Sequence, residues 1–196
     1  MSAPFFSVII PTRNRLDMLK LSLSSLVKQD FKDFEIIISD NSDAVGQCLN
    51  FAYIKTLGLS NLIYKKPDII LTMHDHWEFA LNGAKGLYQG VLIDKTLLRN
   101  KALSALFQIL TNDHEIDILN YLQIGIEYHP KRLFKYKIQS KIVDDFSQAI
   151  DYFSPKVEIS KKFNFSKNIF SDKSSYVLGK ICFGFYKKDL ISKVIS

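Results

Sequence analysis

Two short apolar runs that enclose a helical pattern constrain the fold of this chain most strongly. Residues 5–10 are mostly apolar and rich in β-formers, and Pro11 follows, so we expect a buried strand that ends at Pro11. Leucines then recur at helical spacing over residues 16–27, with Asn14 or Asp17 as the expected cap, and a second buried strand is predicted at residues 34–39. A strand, a helix and a strand with short connections predict a βαβ unit with parallel strands.

The same alternation continues along the chain in a looser form. Gly86 has the position of a helix C-terminus, and the strand pattern after it ends at Asp94. The further predicted elements are helices at 46–57, 77–81, 95–110, 144–153 and 188–195, strands at 62–64, 87–93, 117–121 and 176–186, and a loop at 154–175. We therefore expect one Rossmann-like α/β domain with a mostly parallel central sheet flanked by helices, for which 196 residues suffice.

Positive charge is concentrated at the C-terminal end. Residues 1–130 carry 12 Lys and Arg against 14 Asp and Glu, whereas residues 131–196 carry 14 against 6. Such a basic half suits a solvated Lys-rich face, an anionic membrane surface or an anionic lipid-linked acceptor. No nucleic-acid-binding motif accompanies it, so we do not expect nucleic acid as a partner.

The sequence has no evident membrane span or secretion signal. No apolar run approaches the roughly 20 residues that cross a bilayer, and the first four residues contain no basic segment before an apolar core. We therefore expect a cytoplasmic protein, with peripheral contact at the inner face of the membrane as one role for the basic half.

Three predicted strands end in polar residues, at Thr12, Asp40 and Asp94. In open parallel sheets, ligands bind beyond the carboxyl ends of the strands, so we expect these residues to converge on one site. A carboxylate such as Asp40 can accept the imide proton of a uridine-type base while loop backbone near Thr12 pairs with a base carbonyl. The pattern favours a pyrimidine nucleotide, and an ordinary turn role for Asp40 is the alternative.

Three segments, in this order, resemble family 2 glycosyltransferases. Residues 7–15, SVIIPTRNR, resemble the first strand and nucleotide loop of that family, and residues 34–42, FEIIISDNS, resemble its second strand, whose Asp binds the nucleobase. Residues 73–86 resemble the segment before the metal motif in one branch of the family. The resemblance covers residues 5–98 and implies a GT-A type fold.

The resemblance implies transfer of a sugar from a nucleoside diphosphate, UDP above all, to a saccharide or lipid-linked acceptor in surface polysaccharide synthesis. It assigns residues 1–98 to the donor half and residues 99–196 to an acceptor-side half, expected to be incomplete at its C-terminus. The donor-site residues it implies are Pro11, Thr12, Arg13, Asn14, Asp40, Asn41, Asp94 and Lys95. The alternative function is binding of the nucleotide sugar without catalysis.

Two positions depart from the pattern of the family. Its metal motif Asp-x-Asp is here Asp94-Lys95-Thr96, and the loss of one carboxylate weakens a Mg²⁺ or Mn²⁺ site at Asp94. Lys95 is an alternative group to neutralise phosphate charge. The general base of inverting members follows the final strand and helix, so Asp189 is the candidate here, unless the chain is a truncated or divergent member whose base lies beyond residue 196.

His74 and His76 flank Asp75 and raise the question of a metal site. Two histidines at alternate positions do not close such a site, and no remote Cys or His cluster completes it. A capping or loop role before the predicted helix 77–81 explains the segment equally well.

Overall fold

The computed structural model describes residues 3–114, 116–120 and 184–192. The strands are β1 Phe6–Thr12, β2 Phe34–Asp40, β3 Leu62–Lys65, β4 Tyr88–Val91, β5 Ile118–Asn120 and β6 Gly184–Lys187. The helices are α1 Leu16–Val27, α2 Ala44–Leu57, α3 Met73–Leu81, α4 Ala102–Asn112 and α5 Lys188–Ser192. The predicted helix 144–153, the predicted loop 154–175 and most of the predicted strand 176–186 lie outside the described residues, as does most of the basic half.

The described strands form one mixed sheet in the order β3-β2-β1-β4-β6-β5. β1 pairs in parallel with β2 along its whole length, from Phe6 opposite Phe34 to Thr12 opposite Asp40, and with β4 on its other side. β3 continues the parallel pairing, whereas β6 pairs antiparallel with both β4 and β5. The predicted α/β fold with a mostly parallel sheet is confirmed, and the carboxyl ends of β1, β2 and β4 lie at the same edge.

Side chains that alternate along the central strands build a core on each face of the sheet. Even-numbered residues of β1 such as Ile10 pack with leucines of α1 and α4. Odd-numbered residues such as Ile9 pack with Ala80 and Leu81 of α3 and with Ile191 of α5. Because both faces are covered, the central strands are almost continuously apolar. Among the described residues, no helix is long and apolar enough to span a membrane.

β1 continues through Pro11 to Thr12, so the prediction that the strand ends at Pro11 is wrong. The N–H of Leu92 donates to the carbonyl of Ile9, which means that odd-numbered residues of β1 direct their backbone polar groups toward β4. Pro11 is the next odd-numbered residue, and it lies beyond the end of β4 at Val91. Its missing N–H therefore costs no hydrogen bond of the sheet.

Two further boundaries differ from the predictions. Gly86 does not end α3, because the chain already turns at Gly83, where φ is 85°. Gly86 instead passes close to β1, where an added Cβ would lie 2.4 Å from the backbone N of Ser7. Lys95 lies in a turn and not in a helix, since α4 begins only at Ala102.

Candidate functional site

Three turns at the carboxyl edge of the sheet, residues 12–15, 40–43 and 94–96, are joined by hydrogen bonds and are called here the polar edge. The carbonyl of Thr12 accepts from the N–H of Asn41 at 3.0 Å. The hydroxyl of Thr12 donates to Oδ2 of Asp94 at 3.0 Å. The three strand ends that we expected to converge therefore lie together.

Asn14 joins the turn after β1 to the turn after β2. Its backbone is left-handed, with φ 53°, and its N–H donates to Oγ of Ser42 at 2.8 Å. Its Nδ2 donates to Oδ2 of Asp43 at 3.1 Å, and its Oδ1 accepts from the N–H of Asp43 at 3.2 Å. Asp43 in turn caps α2 by accepting from the N–H of Gly46. Neither Asn14 nor Asp17 caps α1, contrary to the prediction, because Asn14 makes these contacts instead and Arg15 occupies the N-cap position.

Asp40 is fully buried and makes three hydrogen bonds. Its Oδ1 accepts from the N–H of Ser42 at 3.0 Å, and its Oδ2 accepts from Nδ2 of Asn50 at 2.9 Å and from the hydroxyl of Tyr64 at 2.8 Å. Burial and the bond to Asp40 raise the pKa of Tyr64 above its ordinary value, so the phenol remains a donor. The carboxylate therefore holds the turn after β2, and its spare acceptor capacity lies on Oδ1.

Asp94 is a second buried carboxylate of the polar edge. Its Oδ2 accepts from Thr12, and its Oδ1 accepts from Nη1 of Arg15 at 3.2 Å. The Asp94 side chain is 4% exposed and the Arg15 side chain is 58% exposed, so the guanidinium lies on the solvent side of the pair. Ser22 of α1 holds this turn, because its hydroxyl lies 2.8 Å from the carbonyl oxygen of Asp94 and 2.7 Å from that of Thr96 and can donate to either.

The other predicted donor-site residues surround these carboxylates. Arg13 and Lys95 are exposed cations, whereas Pro11 and Asn41 are buried. The side-chain amide of Asn41 pairs with the backbone of Leu71, donating to its carbonyl and accepting from its N–H, each at 2.9 Å. All of the predicted donor-site residues thus lie at one edge of the sheet.

His76 is a buried residue near this edge that the sequence did not assign to it. α3 begins at Met73, four residues before its predicted start, because Thr72 accepts from the N–H of Asp75. Nε2 of His76 lies 3.0 Å from Oγ and 3.2 Å from the carbonyl O of Ser39. Burial lowers the pKa of His76 and outweighs the bond to the Ser39 backbone, which raises it. A neutral imidazole therefore connects α3 to β2. The one sequence signal for this contact is that Ser39, like Ile37, is an odd-numbered residue of β2, and odd-numbered residues face α3.

Asp189 lies at the opposite edge of the sheet. β6 runs antiparallel to β4, and the N–H of Lys188 donates to the carbonyl of Leu87. α5 therefore begins at the amino end of β4, whereas Asp94 follows its carboxyl end. A strand of this length spans roughly 13 Å, so the structure does not bring Asp189 together with the polar edge.

The polar edge does not fit a divalent cation held by the protein alone. Mg²⁺ and Mn²⁺ need several oxygen ligands, but both carboxylate oxygens of Asp94 already accept hydrogen bonds, and position 96 is a threonine. Across residues 3–114, 116–120 and 184–192, no group of three or more His, Cys, Asp or Glu is placed to hold a metal ion.

Known proteins match the N-terminal part of the chain in sequence. Residues 7–50, which contain α1, β2, most of β1 and the start of α2, match the family model described as Glycosyl transferase family 2. Over 41 residues, the chain is 49% identical to the GalNAc(5)-diNAcBac-PP-undecaprenol beta-1,3-glucosyltransferase of Campylobacter jejuni. That match covers 21% of this chain and 13% of the glucosyltransferase.

Solved structures match a larger part of the chain. S. aureus TarS 1-349 matches with a TM-score of 0.64 and 20% identity over 99% of this chain and 49% of that one, and its complex with UDP matches similarly. The mannosyltransferase PcManGT from Pyrobaculum calidifontis, in complex with GDP-Man and Mn²⁺, matches with a TM-score of 0.55 and 16% identity over 63% of this chain and 37% of that one. The GT-A type fold is confirmed, and the chain spans about half the length of TarS 1-349.

Proposed function

We propose that this chain, which belongs to glycosyl transferase family 2, binds a nucleoside diphosphate sugar at the polar edge and contributes the donor half of a glycosyltransferase. The observation that carries the proposal is the joining of three strand ends through Thr12, Asn14 and Asp94. Ligands of open parallel sheets bind beyond such strand ends. The exposed Arg and Lys side chains of the polar edge suit the negative charge of a diphosphate, and its buried carboxylates suit the N–H donors of a nucleobase.

The donor that we assign is a UDP-sugar, bound by residues 1–98. A uracil imide N–H needs an acceptor, and Oδ1 of Asp40 has capacity beyond the bond from Ser42. Because Asp40 is fully buried, the base reaches it only when the surrounding turns shift. Complexes of the structural relative TarS 1-349 with UDP and UDP-GlcNAc support this choice.

The acceptor that we assign is a saccharide or a lipid-linked saccharide of surface polysaccharide synthesis. This choice is supported by the Campylobacter jejuni relative, whose name specifies a PP-undecaprenol-linked substrate. Residues 99–196 are the acceptor side in this proposal. Their excess of Lys and Arg suits an anionic lipid-linked acceptor or the inner face of a membrane.

Thermal unfolding with a panel of nucleotides tests the donor site. UDP at about 100 times its Kd stabilises the folded state by about 2.7 kcal/mol, which raises Tm by roughly 5–10 °C for a chain of this size. We expect GDP to raise Tm less. Asp40→Asn should fold, because the new amide can donate to Oδ1 of Asn50, which has no hydrogen-bond partner in the part of the chain that the structure describes. This variant keeps an oxygen at the Oδ1 position but loses the negative charge, and a charged acceptor binds an N–H about twice as strongly as a neutral one, so the preference for UDP should shrink.

Asp189→Asn, at the opposite edge, is the matched control and should respond like the wild type. Equal shifts with UDP and GDP, or no shift with either, would contradict the donor-site proposal.

A second candidate function is donor binding without transfer. It is favoured by the position of Asp189, which lies beyond the amino end of β4 and away from the polar edge. Release of UDP from a UDP-sugar in the presence of saccharide acceptors distinguishes the two functions. A chain that binds UDP but releases none from the UDP-sugar has the second function.

A further inference from the structure

At the polar edge, the guanidinium of Arg15 is bound to Asp94, the one acidic residue of the segment Asp94-Lys95-Thr96. Oδ1 of Asp94 accepts from Arg15, and Oδ2 accepts from Thr12. A divalent ion at this carboxylate would have to displace the guanidinium and find its remaining ligands elsewhere, because position 96 contributes no carboxylate. The structural relative PcManGT, in contrast, has Mn²⁺ together with GDP-Man.

We infer that Arg15 takes the place of a divalent cation in this chain, so that its guanidinium binds the diphosphate of the donor without a metal ion. This inference rests on the proposed function, because it assigns the diphosphate of the same nucleotide. It adds Arg15 as a substrate-binding residue and specifies how the negative charge of the donor is neutralised.

The geometry of Arg15 suits this role. Its backbone is fixed at the start of α1, where its carbonyl accepts from the N–H of Leu19 at 2.9 Å. In the part of the chain that the structure describes, its side chain is anchored by one contact, from Nη1 to Asp94, and it is 58% exposed. A guanidinium has five N–H donors in one plane, so several remain for two phosphate oxygens. Asp94 therefore orients the cation, as a carboxylate would orient a metal ion.

The charges around Arg15 also favour an anion. Arg13 and Lys95 are exposed at the same edge. The exposed carboxylate of Asp43 is engaged by the side chain of Asn14 and the N–H of Gly46. α1 has no side-chain cap, and its N-terminus adds a partial positive charge beside Arg15.

Calorimetric titration with UDP and with uridine tests the inference, since only UDP carries the diphosphate. In EDTA, the wild-type chain should bind UDP more tightly than uridine, and Mn²⁺ should change the UDP affinity less than about three-fold. Arg15→Gln should lower the UDP affinity at least about ten-fold, as expected for loss of a charged bidentate contact. The same variant should leave the uridine affinity within about two-fold, which also shows that it is folded.

Lys28→Gln is the matched control, because Lys28 is an exposed cation at the other end of α1, and its loss should leave both affinities unchanged. An increase of ten-fold or more in wild-type UDP affinity with Mn²⁺ would overturn the inference and leave the proposed function intact. Equal losses of UDP and uridine affinity in Arg15→Gln would assign Arg15 a structural role instead. Failure of the wild type to bind either compound would overturn both proposals.

Discussion

Asn14 shows how a single residue positions the polar edge. Its left-handed backbone places its N–H on Ser42 and its side chain on Asp43. Asn14→Gly keeps this backbone conformation without strain, whereas Asn14→Ala adds a left-handed penalty of about 1–2 kcal/mol. We expect both variants to lose UDP affinity equally, because both lack the side chain. In urea denaturation, Asn14→Ala should unfold with a free energy about 1 kcal/mol lower than Asn14→Gly.

Asn82 supplies the control for this comparison, because it is exposed and has an ordinary φ of −63°. There the order should be reversed, with the glycine variant less stable than the alanine variant. Equal stability of the two Asn14 variants would show that the left-handed conformation is not required at that position.

The residues that end the strands could be predicted from sequence, but their side-chain partners could not. Asp40 was expected to face a nucleobase, and the structure shows it bonded to Asn50 and Tyr64. Tyr64 meets Asp40 because the register of β3 against β2 places it opposite Ile38, on the same face of the sheet as Asp40. Asn50 comes from α2, which packs on that face. Arg15 likewise acquires its role from Asp94, 79 positions along the chain.

At the scale of elements, His76 makes the packing of α3 on β2 dependent on pH. A histidine in the unfolded chain titrates near pH 6.5, and burial lowers the pKa of His76 in the folded chain. At pH values between the lower pKa of the folded chain and about 6.5, the unfolded chain binds more protons than the folded chain. The contribution of neutral His76 to stability is therefore fully present above about pH 6.5 and decreases as the pH falls below that value. We expect the wild type to lose up to about 1.4 kcal/mol per pH unit in this window, and His76→Gln to lose less.

The measurement is urea denaturation at pH 7.5, 6.5 and 5.5. His74 is the control, since its side chain is 81% exposed on the same helix, and His74→Gln should keep the pH dependence of the wild type. An unchanged pH dependence in His76→Gln would show that the imidazole is not buried in its neutral form.

The sequence pattern predicted that these helices and strands exist, whereas the residues at which they begin and end depend on contacts with neighbouring segments. Pro11 is tolerated in β1 because β4 has already ended at Val91. α3 begins early because Thr72 caps it, and α4 begins late, at Ala102. Such ends are determined by tertiary contacts and capping geometry, which a hydrophobic period does not encode.

For the whole molecule, the parallel half of the sheet was predictable and the antiparallel half was not. β6 pairs with β4 although residues 92–183, nearly half of the chain, lie between them. Gly90 makes room for this pairing, because an added Cβ would lie 2.8 Å from ring atoms of Phe185. Phe185 packs in the same core as β1 and β2. The predicted donor half, residues 1–98, therefore shares its core with a strand near residue 185.

In the function proposed here, the polar edge binds a nucleoside diphosphate through Arg15. A crystal structure of the chain grown with UDP and Mn²⁺ tests it most directly, because the anomalous signal of manganese identifies the metal. We predict phosphate oxygens about 2.7–2.9 Å from the guanidinium of Arg15, the base beyond the end of β2 near Asp40, and no manganese on Asp94. Manganese bound to Asp94 with Arg15 displaced, or UDP bound away from residues 12–15, 40–43 and 94–96, would show that Arg15 does not replace the metal ion.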